Sequence, residues 1–345
     1  MRPKLGRRSF FTPEGKLALM FLKMYTGLSC PKLMELAGKL KIQQLQGILV
    51  DKWKPYMENL DTMYTDGTCY ESEMRYPTDE KLLWEGVGKN YATMCELSSR
   101  LGIHRPWTKF LDLLGKILKE IREIERGHEN AEDLLTVREK SDLEIITRMY
   151  RQQKNHFRNN NRRESIPNRI VSLSKPHLRP IVRGKEVKSV EFGAKVNNIL
   201  VDGISFIEKL SFNAFNEGTR LVHCLKMHKK LFGVEAKKVG GDTGYAGTEN
   251  RDYCKANGIQ TSFVKRGRPF GEKKKEKELA RNELARVRAT AMEGSFGTQK
   301  EHYDLRRVKA MTKRTEILYI FFGIHTANVV QLADRIEQRA RLAAA

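Results

Sequence analysis

Cysteine is scarce in this sequence and forms no pattern. Its five copies, at 30, 69, 95, 224 and 254, are scattered, with no CxxC pair among them. That excludes a cysteine-built zinc site and points to reduced thiols in a cytoplasmic setting. Long hydrophobic runs are missing too. The longest apolar patch, around Phe321-Phe322-Gly323-Ile324, falls far short of the ~20 residues that a membrane span takes. The N-terminus has no signal-peptide pattern, and no basic amphipathic helix dominates, so no membrane partner is expected. Acidic residues are in deficit. Against 64 Lys and Arg stand 42 Asp and Glu, a net charge of +22. A balance that basic calls for a polyanion, and nucleic acid is the default.

What is present begins with the stretch 238–250, KVGGDTGYAGTEN. The apolar run 234–239 reads as a short buried strand that ends at Gly240-Gly241. Asp242 sits just past it, and Gly244 and Gly247 let the backbone turn sharply. Residues 247–257 then read as a helix, with Thr248 as its N-cap. An aspartate at the carboxyl end of a strand, before a turn into a helix, is where open α/β sheets place ligands. On its own, Asp242 reads more readily as a simple turn residue or cap than as a site residue.

The other elements follow in order. Residues 1–12 are basic, and helices are predicted from 12 to 24 and from 32 to 39 around a Gly-containing turn. That pair is either a DNA-reading helix-turn-helix or a plain helical hairpin. Residues 59–68 alternate as a strand, with Tyr64 and Asp66 on one face and Met63 and Thr65 on the other; Asp66-Gly67-Thr68 is its predicted end. From 80 to about 155 the pattern is helical, clearest at 107–125, where Phe110, Leu114, Ile117, Leu118 and Ile121 form one apolar stripe. Residues 151–169 are polar and basic and read as a linker or arm touching phosphates. A hairpin over 187–212 turns at Asp202-Gly203. A helix at 219–232, the Asp242 strand with its helix, and a strand at 259–264 complete the order.

Residues 265–288 hold ten Lys and Arg against four Glu. They open in a loop with Lys265, Arg266 and Arg268 and enter a long helix near 272, with Lys273, Lys274 and Lys275 in its first turn. The excess of one sign favours a DNA-facing surface over an ordinary solvated face. Arg286, Glu293 and Lys300 follow at intervals of seven and share one helix face. Ala289, Thr290 and Gly297 keep that face clear of bulk. Gly294 and Gly297 cost a helix about 1 kcal/mol each relative to Ala, which suggests a close backbone approach or a helix break at Glu293.

Three acids therefore stand at two strand ends and one helix: Asp66, Asp242 and Glu293, separated by 176 and 51 residues. Carboxylates converging from different elements suit hard cations such as Mg²⁺. The motifs YTDGT (64–68), ESEMRYPTD (71–79), VEFGAK (190–195), GDTGYAG (241–247) and MEGSFGTQK (292–300) occur in that order. Through them the chain, over about 15–330, resembles DDE transposases of bacterial insertion sequences, in the broad group related to the IS4 and IS5 families. The resemblance implies an α/β ribonuclease-H-like mixed sheet with flanking helices, a helical insertion after the first strand and a short N-terminal helical region. It implies two divalent metals, Mg²⁺ or Mn²⁺, held by Asp66, Asp242 and Glu293, and cut-and-paste chemistry at terminal inverted repeats. The family's Glu–six residues–Lys spacing is met by Glu293 and Lys300. The Tyr and Arg that commonly precede that Glu are not met, since Arg286 and Ala289 occupy their places and Arg288 lies one residue off.

The resulting division is an N-terminal DNA-binding region at 1–55, a catalytic domain at 56–335 with an insertion at about 80–160, and a tail at 336–345. The expected partner is double-stranded DNA, as element ends and target, bound by a homodimer or higher assembly in the nucleoid-bearing cytoplasm. Arg286, Lys300, Lys265, Arg266, Arg268 and Lys273–Lys275 are the candidate DNA contacts. Two other readings stay open: a ribonuclease-H-like nuclease or resolvase, and a DNA-binding remnant that has lost catalysis.

Overall fold

A computed structural model describes residues 42–74, 77, 81–90, 93, 110–158, 166–182, 190–264 and 274–344. The two predicted N-terminal helices, with Cys30, therefore lie outside the described residues, as do Cys95, Lys265, Arg266, Arg268 and Lys273. The chain divides into two compact units, 1–73 with 181–345, and 74–180.

In the first unit everything is built on β1 (Thr62–Ser72). It pairs antiparallel with β3 (Val190–Val201) and parallel with β5 (Lys238–Gly240) and β7 (Arg307–Val308). The main path of the sheet is β2-β3-β1-β5-β6, where β2 is Pro180–Val182 and β6 is Gln260–Thr261; β4 (Ile204–Ser211) lies beside β3 and β7 beside β1. This mixed sheet with helices on its faces is consistent with a ribonuclease-H-like fold. A central strand in such a sheet is covered on both sides, so none of its residues is exposed, and Tyr64, Asp66, Gly67 and Glu71 are the partly buried ones. Met63 and Thr65 face α4 (Leu221–Phe232), where Met63 joins a core with Leu221, Cys224 and Phe232. Tyr64, Asp66 and Tyr70 face α6 (Lys274–His302). The strand does not stop at Asp66. Antiparallel pairing with β3 continues to Glu71, which places Asp66 in mid-strand.

The β3–β4 hairpin turns at Asp202-Gly203, both at positive φ (48° and 78°), a two-residue turn whose twist matches the strands. A register shift opposite Asn197/Asn198 leaves Glu208 as the extra residue of β4. The outward edge of β4 is closed by side-chain amides. Gln46 of α1 (Ile42–Trp53) donates to the Ile207 carbonyl at 3.0 Å and accepts the Ile207 N–H. Asn328 of α7 (Lys313–Ala344) does the same for Ser205, at 2.7 and 3.0 Å. His325 sits between the two amides, at 3.2 Å from Gln46 and 3.0 Å from Asn328. An edge strand so occupied offers no template for a further strand.

α7 is long and apolar enough, by length and composition, to cross a membrane, but 67% of its apolar window is buried in this unit. The apolar stretch is thus longer than the patch around Phe321 suggests, and the core takes it up through Leu318, Ile320, Phe321, Phe322 and Ile324. The helix continues to Ala344, through most of the segment read as a tail.

The second unit is helical. Residues 81–90, α2 (Phe110–Gly127) and α3 (Val137–Arg158) enclose Leu83, Val87, Leu114, Ile117, Leu118, Ile121, Ile146 and Met149. The predicted stripe of α2 is this core. The arm expected from 151 is instead the last two turns of α3 as far as Arg158.

Candidate active site at the end of the β1–β5 ladder

The register of β1 on β5 decides which acids meet. Thr62, Met63 and Tyr64 pair with Lys238, Val239 and Gly240, and there the parallel ladder ends. Two residues further along each chain stand Asp66 and Asp242, side by side where the strands part. They feel each other electrostatically, and Asp66 also feels Glu217. Burial is the largest influence on Asp66 and pushes its carboxyl up to about 6. The Arg288 guanidinium and the Gly67 N–H, donated to Asp66 Oδ1 at 2.8 Å, pull it down; the charges of Asp242 and Glu217 push it up. Arg288 Nη2 forms an ion pair with Asp66 Oδ2, and both side chains are largely covered, at 16% and 17% exposure.

Asp242 leaves β5 in extended conformation and caps a single turn, Thr243–Tyr245, by accepting the Gly244 N–H at 2.8 Å. The turn-cap role is therefore present, alongside the placement next to Asp66. Two anchors hold this turn. Ser262 bridges the Gly241 N–H and carbonyl at 3.0 and 2.7 Å. Asn250 of α5 (Thr248–Ala256) donates to the Tyr245 and Gly218 carbonyls at 2.8 and 2.6 Å. The N-cap of α5 is Gly247, and no side chain caps it; Thr248, expected there, is already helical.

Beneath the turn lies a buried polar chain. The Tyr245 hydroxyl donates to Asn197 Oδ1, and Asn197 Nδ2 donates to Glu208 Oε2 at 3.1 Å. Arg220 clasps both oxygens of Glu208. The Thr65 hydroxyl donates to the Asn198 carbonyl at 3.1 Å. Every link joins a different element, so the β1 strand, the β3–β4 hairpin, the start of α4 and the Asp242 turn are tied together one residue from Asp66 and three from Asp242.

Glu293 is exposed on α6, next to the fully buried Met292. The groups that act on Asp66 are Arg288, Gly67, Asp242 and Glu217, and Glu293 is not among them. Among the described residues, no three His, Cys, Asp or Glu side chains are grouped as a metal-holding set. α6 passes Glu293 without a break. Gly294 and Gly297 face open space, with nothing within 4 Å of an added Cβ, so the close approach expected there is not made within this chain. Arg286 is exposed and pairs with Glu283 at 2.7 Å, a surface pair of the ordinary kind. Lys300 lies over the Tyr70 ring, 5.9 Å from its centroid. Lys274 and Lys275 open α6, their side chains outside the described set.

The donor chemistry at Asp66 and Asp242 suits a divalent ion. Two carboxylates meet there; at Asp66 burial and the neighbouring negative charges oppose ionisation, and a cation relieves both. Arg288 already supplies part of that positive charge.

Glu217 escapes the sequence reading, and Arg288 enters it only as a residue one off the place of the family's Arg. Arg288 had a signal: it lies four residues before Met292 and eight before Phe296, a cation on the apolar face that packs on Tyr64 and Leu200. Glu217 had none. It reaches the site because Gly67 lacks a Cβ, which would collide with the Glu217 carboxyl, and Lys195 holds it at 2.9 Å.

Residues 239–330 match the family model described as transposase DDE domain. The chain thus carries such a domain from the end of β5 to the middle of α7, with Asp242 and Glu293 inside the match and Asp66 before it. No curated protein and no solved structure matches the chain.

Proposed function

We propose that the chain is a DNA transposase that cuts phosphodiester bonds at the ends of its element and joins them to target DNA, with Asp66, Asp242 and Glu293 as its acids. The observation that carries this reading is the meeting of Asp66 and Asp242 at the end of the β1–β5 ladder, at the entrance to a matched transposase DDE domain. Asp66 and Asp242 would hold a divalent ion, Mg²⁺ or Mn²⁺, through hard carboxylate oxygens. When bound, such ions activate the attacking oxygen and stabilise the leaving one. Glu293 is the third acid on the strength of its spacing to Lys300 and its place within the match. The buried chain from Tyr245 to Arg220 keeps the Asp242 turn fixed against β1, so the two carboxylates are positioned before DNA arrives. DNA itself is drawn by the net charge of +22 and by the cations of 265–288. We place the active form in a homodimer or larger assembly on DNA, in the nucleoid-bearing cytoplasm.

The test is incubation of the protein with Mg²⁺ or Mn²⁺ and DNA carrying the element's own ends. Cleavage at the ends followed by joining of the 3′-hydroxyl to target DNA is expected. Asp66→Asn and Asp242→Asn each remove cleavage while DNA affinity stays within about 3-fold, because the lost charge belongs to the ion site and not to the binding surface. Cutting without joining would reassign the protein as a nuclease, and normal cleavage by either variant would remove the acids from the site.

A further inference from the structure

Arg288 has a place in this site that the acids alone do not explain. Its guanidinium lies on Asp66 Oδ2, while its Nε is buried and has no partner. The contact with Asp66 is therefore what the structure gives the guanidinium in exchange for its burial. The backbone has been cleared for it. α6 crosses β5 at Gly240, where an added Cβ would come within 3.0 Å of the Arg288 Cβ and would also collide with the Tyr64 ring. The helix can lie this close to the strand end only because residue 240 has no side chain, and the crossing point is two residues before Asp242.

We propose that Arg288 is an internal competitor for the cation site: it neutralises Asp66 in the free protein and must leave that oxygen before a divalent ion can bind between Asp66 and Asp242. This rests on the reading of those two acids as the ion's holders. The argument is electrostatic. A guanidinium and a divalent ion on one carboxylate repel each other at contact distance, in a setting that solvent screens poorly. Asp66 accepts one or the other. The free protein is then a weak binder of divalent ions, and its carboxylate is never left buried without a counter-charge.

Mn²⁺ binding to the whole protein without DNA, followed by the loss of the free-ion resonance signal, tests this without reference to cleavage. Arg288→Ala and Arg288→Gln bind Mn²⁺ at least ~10-fold more tightly than wild type, since one positive charge beside the ion is removed. Arg288→Lys, which keeps the charge, stays within about 3-fold of wild type. Asp66→Asn loses the binding. Should both neutral variants bind no more tightly than wild type while Asp66→Asn still loses the ion, the competition is wrong and the acid site stands. Should Asp66→Asn bind as wild type does, the acid site itself is wrong, and the competition goes with it.

Discussion

Thr65 and Asp66 are consecutive residues of one strand, and they meet opposite conditions. On the Thr65 side a chain of side chains runs from Tyr245 through Asn197 and Glu208 to Arg220, buried and hydrogen-bonded link by link. On the Asp66 side the charges of Asp242 and Glu217 press on Asp66, the Arg288 guanidinium answers them, and burial carries the Asp66 carboxyl up to about 6. The chain on the first side is satisfied link by link, and a satisfied buried network specifies one arrangement. The second is under-compensated, and groups pushed away from their ordinary ionisation mark sites that await a ligand. The same strand thus fixes position with one face and stores unbalanced charge on the other.

The contrast can be broken most severely at Glu293. With Glu293 proposed as the third acid, its removal should cost activity and little stability. Glu293→Gln is expected to reduce single-turnover cleavage in Mg²⁺ by about 100-fold or more. Glu283→Gln and Glu301→Gln, whose carboxylates pair with Arg286 and Arg306 on the surface, should retain most activity. Loss of cleavage in either of those two, with Glu293→Gln still active, overturns the assignment of the third acid.

The closed edge of β4 should show its cost in acid. Burial lowers His325 to about 3 from an ordinary 6.5. The neutral ring, wedged between Gln46 and Asn328, favours the folded state. That stability is complete above pH 6.5 and is lost as pH falls from there towards 3, because the unfolded chain takes up the proton first. The linkage amounts to at most roughly 5 kcal/mol. Urea midpoints of wild type should fall through this window more steeply than those of His325→Gln. Parallel pH profiles for the two would show that the ring carries no such charge penalty.

The smallest effect belongs to the exposed flank of α6. Gly297 faces open space, so Gly297→Ala should stabilise the protein by about 0.5–1 kcal/mol, read as a raised unfolding midpoint. If DNA needs close approach there, the variant gains stability and loses DNA affinity. Unchanged affinity would leave the glycine without a functional reason.

Periodicity carried much of this into view. The alternation of Tyr64 and Asp66 against Met63 and Thr65 is a local signal, and the two sets do face different helices. The Asp202-Gly203 turn and the stripe of α2 are equally local. What stayed hidden is set by long-range register. The end of β1 could not be read, because Gly67 looks like a breaker and pairing with β3 overrides it. The neighbourhood of Asp66 and Asp242 depends on the three pairs of β1 on β5, which no spacing in the sequence encodes. Glu217 enters through a missing Cβ on another element. The glycines of α6 misled, since their openness to solvent and a close contact leave the same trace in sequence.

The difference between the two faces is tested most directly by changing neighbouring residues, Thr65→Val and Asp66→Asn, and measuring Mg²⁺-dependent cleavage and unfolding free energy on the same preparations. Thr65→Val is expected to lose about 1–2 kcal/mol of stability, from one buried hydrogen bond, and to keep most of its cleavage rate. Asp66→Asn is expected to keep or gain stability at pH 8 and to lose cleavage. If Asp66→Asn cleaves normally, or unfolds as readily as Thr65→Val while Thr65→Val is the inactive one, the two faces do not divide position from chemistry.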